Sequence, residues 1–164
     1  MKSNEIPSRT YLCFVFSDDV KFLCQNAPKT LQKLNLAGLR NNISDEDVLE
    51  LVSKCNNLIE LDLSDAAKLT EDSLSFIIAH LGSSLRKLSL SRCFNIHPVR
   101  LLNLNAMREL KTLNVYGLVS DDKLGILKLE LPHLDINQAP LSFVARSSAS
   151  SDRRNYLWDV KLWQ

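Results

Sequence analysis

Apolar residues along this chain fall into one recurring spacing, Leu-x-x-Leu-x-Leu. The clearest copy is Leu58, Leu61 and Leu63. The spacing returns as Leu31, Leu34 and Leu36, as Leu85, Leu88 and Leu90, as Leu110, Leu113 and Val115, and as Leu131, Leu134 and Ile136. Successive first leucines lie 27, 27, 25 and 21 residues apart. In each copy one polar residue (Asn35, Asp62, Ser89, Asn114 or Asp135) sits between the last two apolar ones. Alternation at a period of two predicts a short strand, leucines on one face and the polar residue on the other.

The stretches between these strands change to a helical period. Ser44 precedes Asp45-Glu46-Asp47 and the apolar set Val48, Leu51 and Val52, while Thr70 precedes Glu71-Asp72 and the set Leu74, Ile77 and Ile78. A cap residue, an acidic first turn and an apolar stripe together predict a helix after each strand. Pro98 marks a third helix start, and Ser120 before Asp121-Asp122 a fourth, with Leu124 and Leu127 behind it. Upstream, Tyr11–Phe16 packs aromatic and β-branched residues into a predicted strand, followed by a helix from Asp18 to about Gln25 capped by Ser17. This pair reads as a degenerate first repeat. Residues 1–10 are polar and aperiodic, and are expected to be an unstructured leader.

Copies of this signature every twenty-odd residues are those of a leucine-rich repeat. The predicted fold class is α/β, a leucine-rich-repeat solenoid with a curved parallel sheet on its concave face and helices on its convex face. It would cover residues 11–137, as about five repeats plus the degenerate first one. One strand and helix cannot bury their apolar sides alone, so each repeat's leucines must be covered by those of its neighbours. After Asn137 the pattern stops. Pro140 and the run Ser147-Ser148-Ala149-Ser150-Ser151 have a linker's composition, and then Tyr156, Trp158, Val160 and Leu162 alternate with Leu157, Asp159, Lys161 and Trp163. Both tryptophans lie there, so residues 138–164 are expected to form a tail folding back on the solenoid.

Composition narrows the function. With 45% hydrophobic residues and a net charge of +1, the chain has no electrostatic footprint for nucleic acid or an anionic membrane. Its longest apolar runs, such as Phe76-Ile77-Ile78-Ala79, are far too short to span a bilayer, and no apolar core of a signal peptide opens it, which predicts an intracellular protein. Cys13, Cys24, Cys55 and Cys93 are widely separated and are expected as buried thiols. His80, His97 and His133 fall in different repeats, no nucleophile–base or paired-carboxylate constellation recurs, and the four glycines form no phosphate loop. No catalytic residue, metal or cofactor is therefore expected, and the concave face and its rim are where function is sought.

By alternation that face carries small polar residues of mixed sign, suited to another protein's surface; they include Asn114, Tyr116 and His133. Arg40, Asp65 and Arg92 lie just past three strands and are expected on neighbouring rungs of one edge, as a ladder of alternating charge. Such a ladder is either self-paired and of little energetic value, or an arginine-containing anchor for an acidic side chain of a partner. Spacing leaves both readings open.

Several segments are specific beyond their leucines: Leu88-Ser89-Leu90-Ser91-Arg92-Cys93-Phe94, Leu110 to Gly117, Leu131-Pro132-His133-Leu134, Ala145-Arg146, and Asn57-Leu58 with Leu61 to Asp65. Over roughly residues 30–164 the chain resembles the C-terminal repeats and tail of the S-phase kinase-associated protein 2 family of F-box, leucine-rich-repeat proteins. The resemblance implies a substrate receptor of an SCF-type (cullin–RING) ubiquitin ligase, acting in the cell cycle in nucleus and cytoplasm. It implies two partners, a small cyclin-kinase-subunit accessory protein and a phosphorylated Cip/Kip-type cyclin-dependent-kinase inhibitor. Arg40, Asp65 and Arg92 match positions on the family's binding edge, and Phe94 stands where the family has an aromatic contact. Pro140-Leu141 replaces the histidine–phenylalanine pair of the family's tail. No F-box segment precedes the first repeat, so the ligase adaptor is expected as a partner only if one is restored. The alternative expectation is an adaptor-free repeat scaffold, or a competitor of the complete receptor without ligase activity.

Overall fold

The computed structural model describes residues 9–11 and 17–138. The tail, the leader as far as residue 8, residues 12–16 of the expected first strand and Cys13 lie outside the described residues.

Six short strands form one parallel sheet in strict chain order: β1 (Arg9–Tyr11), β2 (Lys33–Asn35), β3 (Glu60–Asp62), β4 (Lys87–Ser89), β5 (Thr112–Asn114) and β6 (Asp135–Ile136). Between them run α1 (Ser17–Asn26), α2 (Asp45–Lys54), α3 (Glu71–Leu81), a 3-10 helix (Pro98–Ala106) and α4 (Asp121–Glu130). Neighbouring helical segments pack on one another in the same order. Strands about 4.8 Å apart back onto helices about 10 Å across, which leaves the strand side concave.

The repeat leucines stack in columns. Register sets Leu34 beside Leu61, Leu61 beside Leu88, Leu88 beside Leu113 and Leu113 beside Ile136. All are buried, as are the flanking columns Leu31, Leu58, Leu85, Leu110 and Leu36, Leu63, Leu90, Val115. Burying each such side chain contributes roughly 1.5–3 kcal/mol. The solenoid's interior is thus continuous from one repeat to the next.

Two of the predicted helices start as their sequence directs. Ser44 forms a capping box, its hydroxyl accepting from the Asp47 N–H while the Asp47 carboxylate accepts from the Ser44 N–H. Thr70 caps α3 by accepting from the Asp72 N–H. Asp45, in the first turn of α2, also accepts from the Thr70 N–H and hydroxyl and from the Ser73 hydroxyl, which ties the starts of two helices together. His97 enters the 3-10 helix by accepting from the Val99 N–H.

Three features depart from the sequence reading. The first strand occupies Arg9–Tyr11 and not Tyr11–Phe16, so Arg9 and Thr10 belong to the sheet and not to a leader; parallel pairing of Arg9, Thr10 and Tyr11 with Lys33, Leu34 and Asn35 outweighs local propensity. The segment from Pro98 is a 3-10 helix, because Leu101, Leu104 and Met107 recur every three residues and eclipse on one buried side. The last rung begins two residues later than its leucines suggest, with Asp135 opposite Thr112. At other rungs two consecutive N–H groups donate to one carbonyl of the preceding strand, as Lys111 and Thr112 do to Arg86. Pro132 stands at the first of those positions and has no N–H to give, so the strand slips to Asp135, which donates to Lys111.

Candidate protein-binding rim

Each strand ends in a tight turn that needs the left-handed backbone region. Gly38, Asp65, Arg92 and Gly117 take it at the equivalent place of four rungs, with φ of 88°, 65°, 61° and 67°. The N–H groups of Gly38, Asp65 and Arg92 donate to the carbonyls of Ser64, Ser91 and Tyr116. The rung-mate of Asp65 and Arg92 in the preceding repeat is therefore Gly38 and not Arg40, which lies two residues farther on with φ 45°. A non-glycine residue in this region is uncommon, and three in one rim hold side chains at fixed angles away from the sheet.

The structure nevertheless brings the three expected charges together. Arg92 Nη2 lies 2.9 Å and Arg40 Nε 3.2 Å from the same oxygen, Oδ2 of Asp65. Arg92 and Asp65 have side chains only 18% and 15% exposed, whereas Arg40 is 70% exposed. The inner pair is a sheltered charged hydrogen bond of about 1.5–3 kcal/mol, and the outer one a surface pair of about 0–1 kcal/mol. Two guanidinium groups on one carboxylate leave the trio with an excess of positive charge. Arg92 Nε is buried with no acceptor among the described residues.

Gly117, which spacing alone did not single out, makes room for this arrangement. A Cβ there would lie 3.2 Å from Cγ of Arg92 and 3.8 Å from its Cδ, so the arginine stem lies across the next rung. The signal in the sequence was a glycine at the position that the two preceding rungs give to Asp65 and Arg92. Asn137 was also missed: its side-chain oxygen accepts from the Val115 N–H at 2.8 Å, and its carbonyl accepts from the Tyr116 hydroxyl at 2.7 Å. That fixes Tyr116 half-buried beside Arg92. Phe94, two residues past Arg92, is 65% exposed at the same rim.

His133 does not join them. It lies exposed in the turn before β6, at the opposite edge of the ribbon, because the Pro132 slip removes it from the strand. The concave row is also more enclosed than alternation suggests, with Ser64, Ser89, Ser91 and Asn114 buried. Ser64 Oγ accepts from the Ser91 N–H and Ser91 Oγ from the Tyr116 N–H, stitching successive rungs. Asp62 accepts from the Ser64 N–H, and burial pushes its carboxyl above the usual range, opposed by its bonds to Ser64 and by Lys87.

The three described cysteines are buried. Burial pushes the Cys24 and Cys93 thiols up to about 12 and raises Cys55, so none is a ready nucleophile. Among the described residues no group of three or more His, Cys, Asp or Glu could hold a metal ion, and no helix is long and apolar enough to cross a membrane.

Comparison with known structures gives the fold a parallel. A chain of the yeast Rad7–Elc1 complex superposes with a TM-score of 0.59 at 17% identity, over 74% of this chain and 30% of that one. The present chain thus spans about a third of that protein's length, and the likeness is one of fold. Residues 10–164 match the family model described as the SKP2 LRR domain, and the chain therefore belongs to the SKP2 leucine-rich-repeat family.

Proposed function

We propose that this chain is a partner-capturing surface of an SCF-type ubiquitin-ligase receptor, binding a cyclin-kinase-subunit accessory protein and, with it, a phosphorylated Cip/Kip-type inhibitor. The observation that carries this reading is the rim trio. Asp65 holds two arginines, one sheltered and one exposed, with net positive charge beside the exposed ring of Phe94. A bidentate guanidinium next to an aromatic ring is a hot-spot pattern for an acidic side chain. Membership of the family supports the reading, and the appearance of a chain of the same fold in a two-protein complex agrees with it. The role is proximity: holding a substrate raises its effective concentration near a conjugating enzyme, with no chemistry on this surface.

Pull-down of the accessory protein, with and without phosphorylated inhibitor peptide, tests the reading. Capture is expected with the intact chain and lost with Arg92→Ala or Asp65→Ala; capture unchanged in both variants removes the trio as anchor. In a reconstituted ubiquitylation assay the chain without an F-box is expected to inhibit, and stimulation would rule out simple competition with the complete receptor.

A further inference from the structure

Asp62, Ser89 and Asn114 stand side by side on β3, β4 and β5, aligned by the parallel register. Asn114 Nδ2 donates to the Ser89 hydroxyl at 3.0 Å, which turns the amide so that Oδ1 faces away from its neighbour. That oxygen is buried on a residue only 7% exposed, and it has no donor among the described residues. Asp62 is likewise without a salt bridge there: Lys33 on the flanking row is engaged by Glu60, and Lys87 attracts Asp62 without pairing with it. Buried polar groups ordinarily find partners, so a row of acceptors that includes an unpaired carboxylate is complementary to a cation bearing several N–H groups.

We propose that the row Asp62–Ser89–Asn114 is a subsite for a basic side chain, arginine or lysine, of the captured protein. The proposal rests on the reading that a partner lies across the concave face, and it adds the opposite sign of recognition. The rim takes an acidic group and the row takes a basic one, which fixes the direction in which a bound segment runs. Adjacent rungs are about 4.8 Å apart, within reach of the forked donors of one guanidinium.

The test is solution NMR of the full chain titrated with blocked tripeptides, acetyl-Gly-X-Gly-amide, where X is arginine, lysine or citrulline. Arginine is expected to move the Asn114 side-chain amide and the Ser89 backbone amide saturably. Citrulline, similar in shape but uncharged, is expected to bind about tenfold more weakly or less. Saturable binding of lysine supports the subsite equally. Asp62→Asn retains the oxygen that accepts from Ser64 and is expected to fold, yet to reduce arginine binding to the citrulline level. No shift with any peptide, or equal shifts with citrulline, overturns the proposal and leaves Asn114 to an ordered water. The tripeptides do not need the rim trio, so failure here leaves the rim reading standing. Unchanged accessory-protein capture by Arg92→Ala with tripeptide shifts intact fails the rim reading alone.

Discussion

Asp62 shows how one position serves both fold and surface. Its carboxylate accepts from the Ser64 N–H that closes the strand, but burial holds its pKa above the ordinary carboxylate range. From that range upward the unfolded chain loses this proton first, so the folded state binds more protons and wild-type stability falls as pH rises to the raised pKa. Asp62→Asn keeps the acceptor and removes the ionisation. Urea midpoints of the two proteins are expected to coincide in acid, separate through that window, and favour the variant at neutral pH; a less stable variant at neutral pH would show that the charge is stabilised. The sequence placed Asp62 facing outward on a strand but could not reveal its enclosure, which depends on Ser64, Ser89 and Asn114 of its own and adjoining rungs. The rim charges were legible as a group because each follows a strand, while the two-residue offset of Arg40 was not, since Gly38 takes the left-handed turn in its place.

Among the elements, α2 and α3 were readable because cap, acidic turn and apolar stripe coincide, and α4 was not. Ser120 makes no side-chain cap bond, Leu127 is buried while Leu124 is only partly so, and Ile126 and Leu129 are exposed. Gly125 lies mid-helix with nothing within 4 Å of the position a Cβ would take. Gly125→Ala is expected to stabilise the chain by about 0.5–1 kcal/mol, read as a raised urea midpoint at unchanged slope. A loss of stability would mean that α4 packs differently from this arrangement. The last strand was misplaced for a reason visible only in the hydrogen bonds. Leucine spacing locates a rung approximately, but Pro132 withholds one of the N–H groups that fix its register, and His133 leaves the sheet with it.

For the whole molecule, stability is a property of the stack. Leu88 is fully buried between Leu61 and Leu113, so Leu88→Ala removes cover from both neighbouring repeats. The expected cost is about 2–5 kcal/mol, with faster amide exchange in β3 and β5 as well as β4; faster exchange confined to β4 would contradict a shared interior. On this stack the positively charged rim and Phe94 line one edge, and Arg86, exposed before β4, lies at the other beside Glu109. That separation supplies an internal control. Calorimetric titration of the cyclin-kinase-subunit accessory protein into the intact chain, Arg92→Ala and Arg86→Ala is the most direct measurement. Loss of a hot-spot arginine, about 2 kcal/mol, weakens binding about 30-fold, while Arg86→Ala leaves it within about twofold. Equal affinities for all three folded proteins, or a larger loss with Arg86→Ala, would contradict the account.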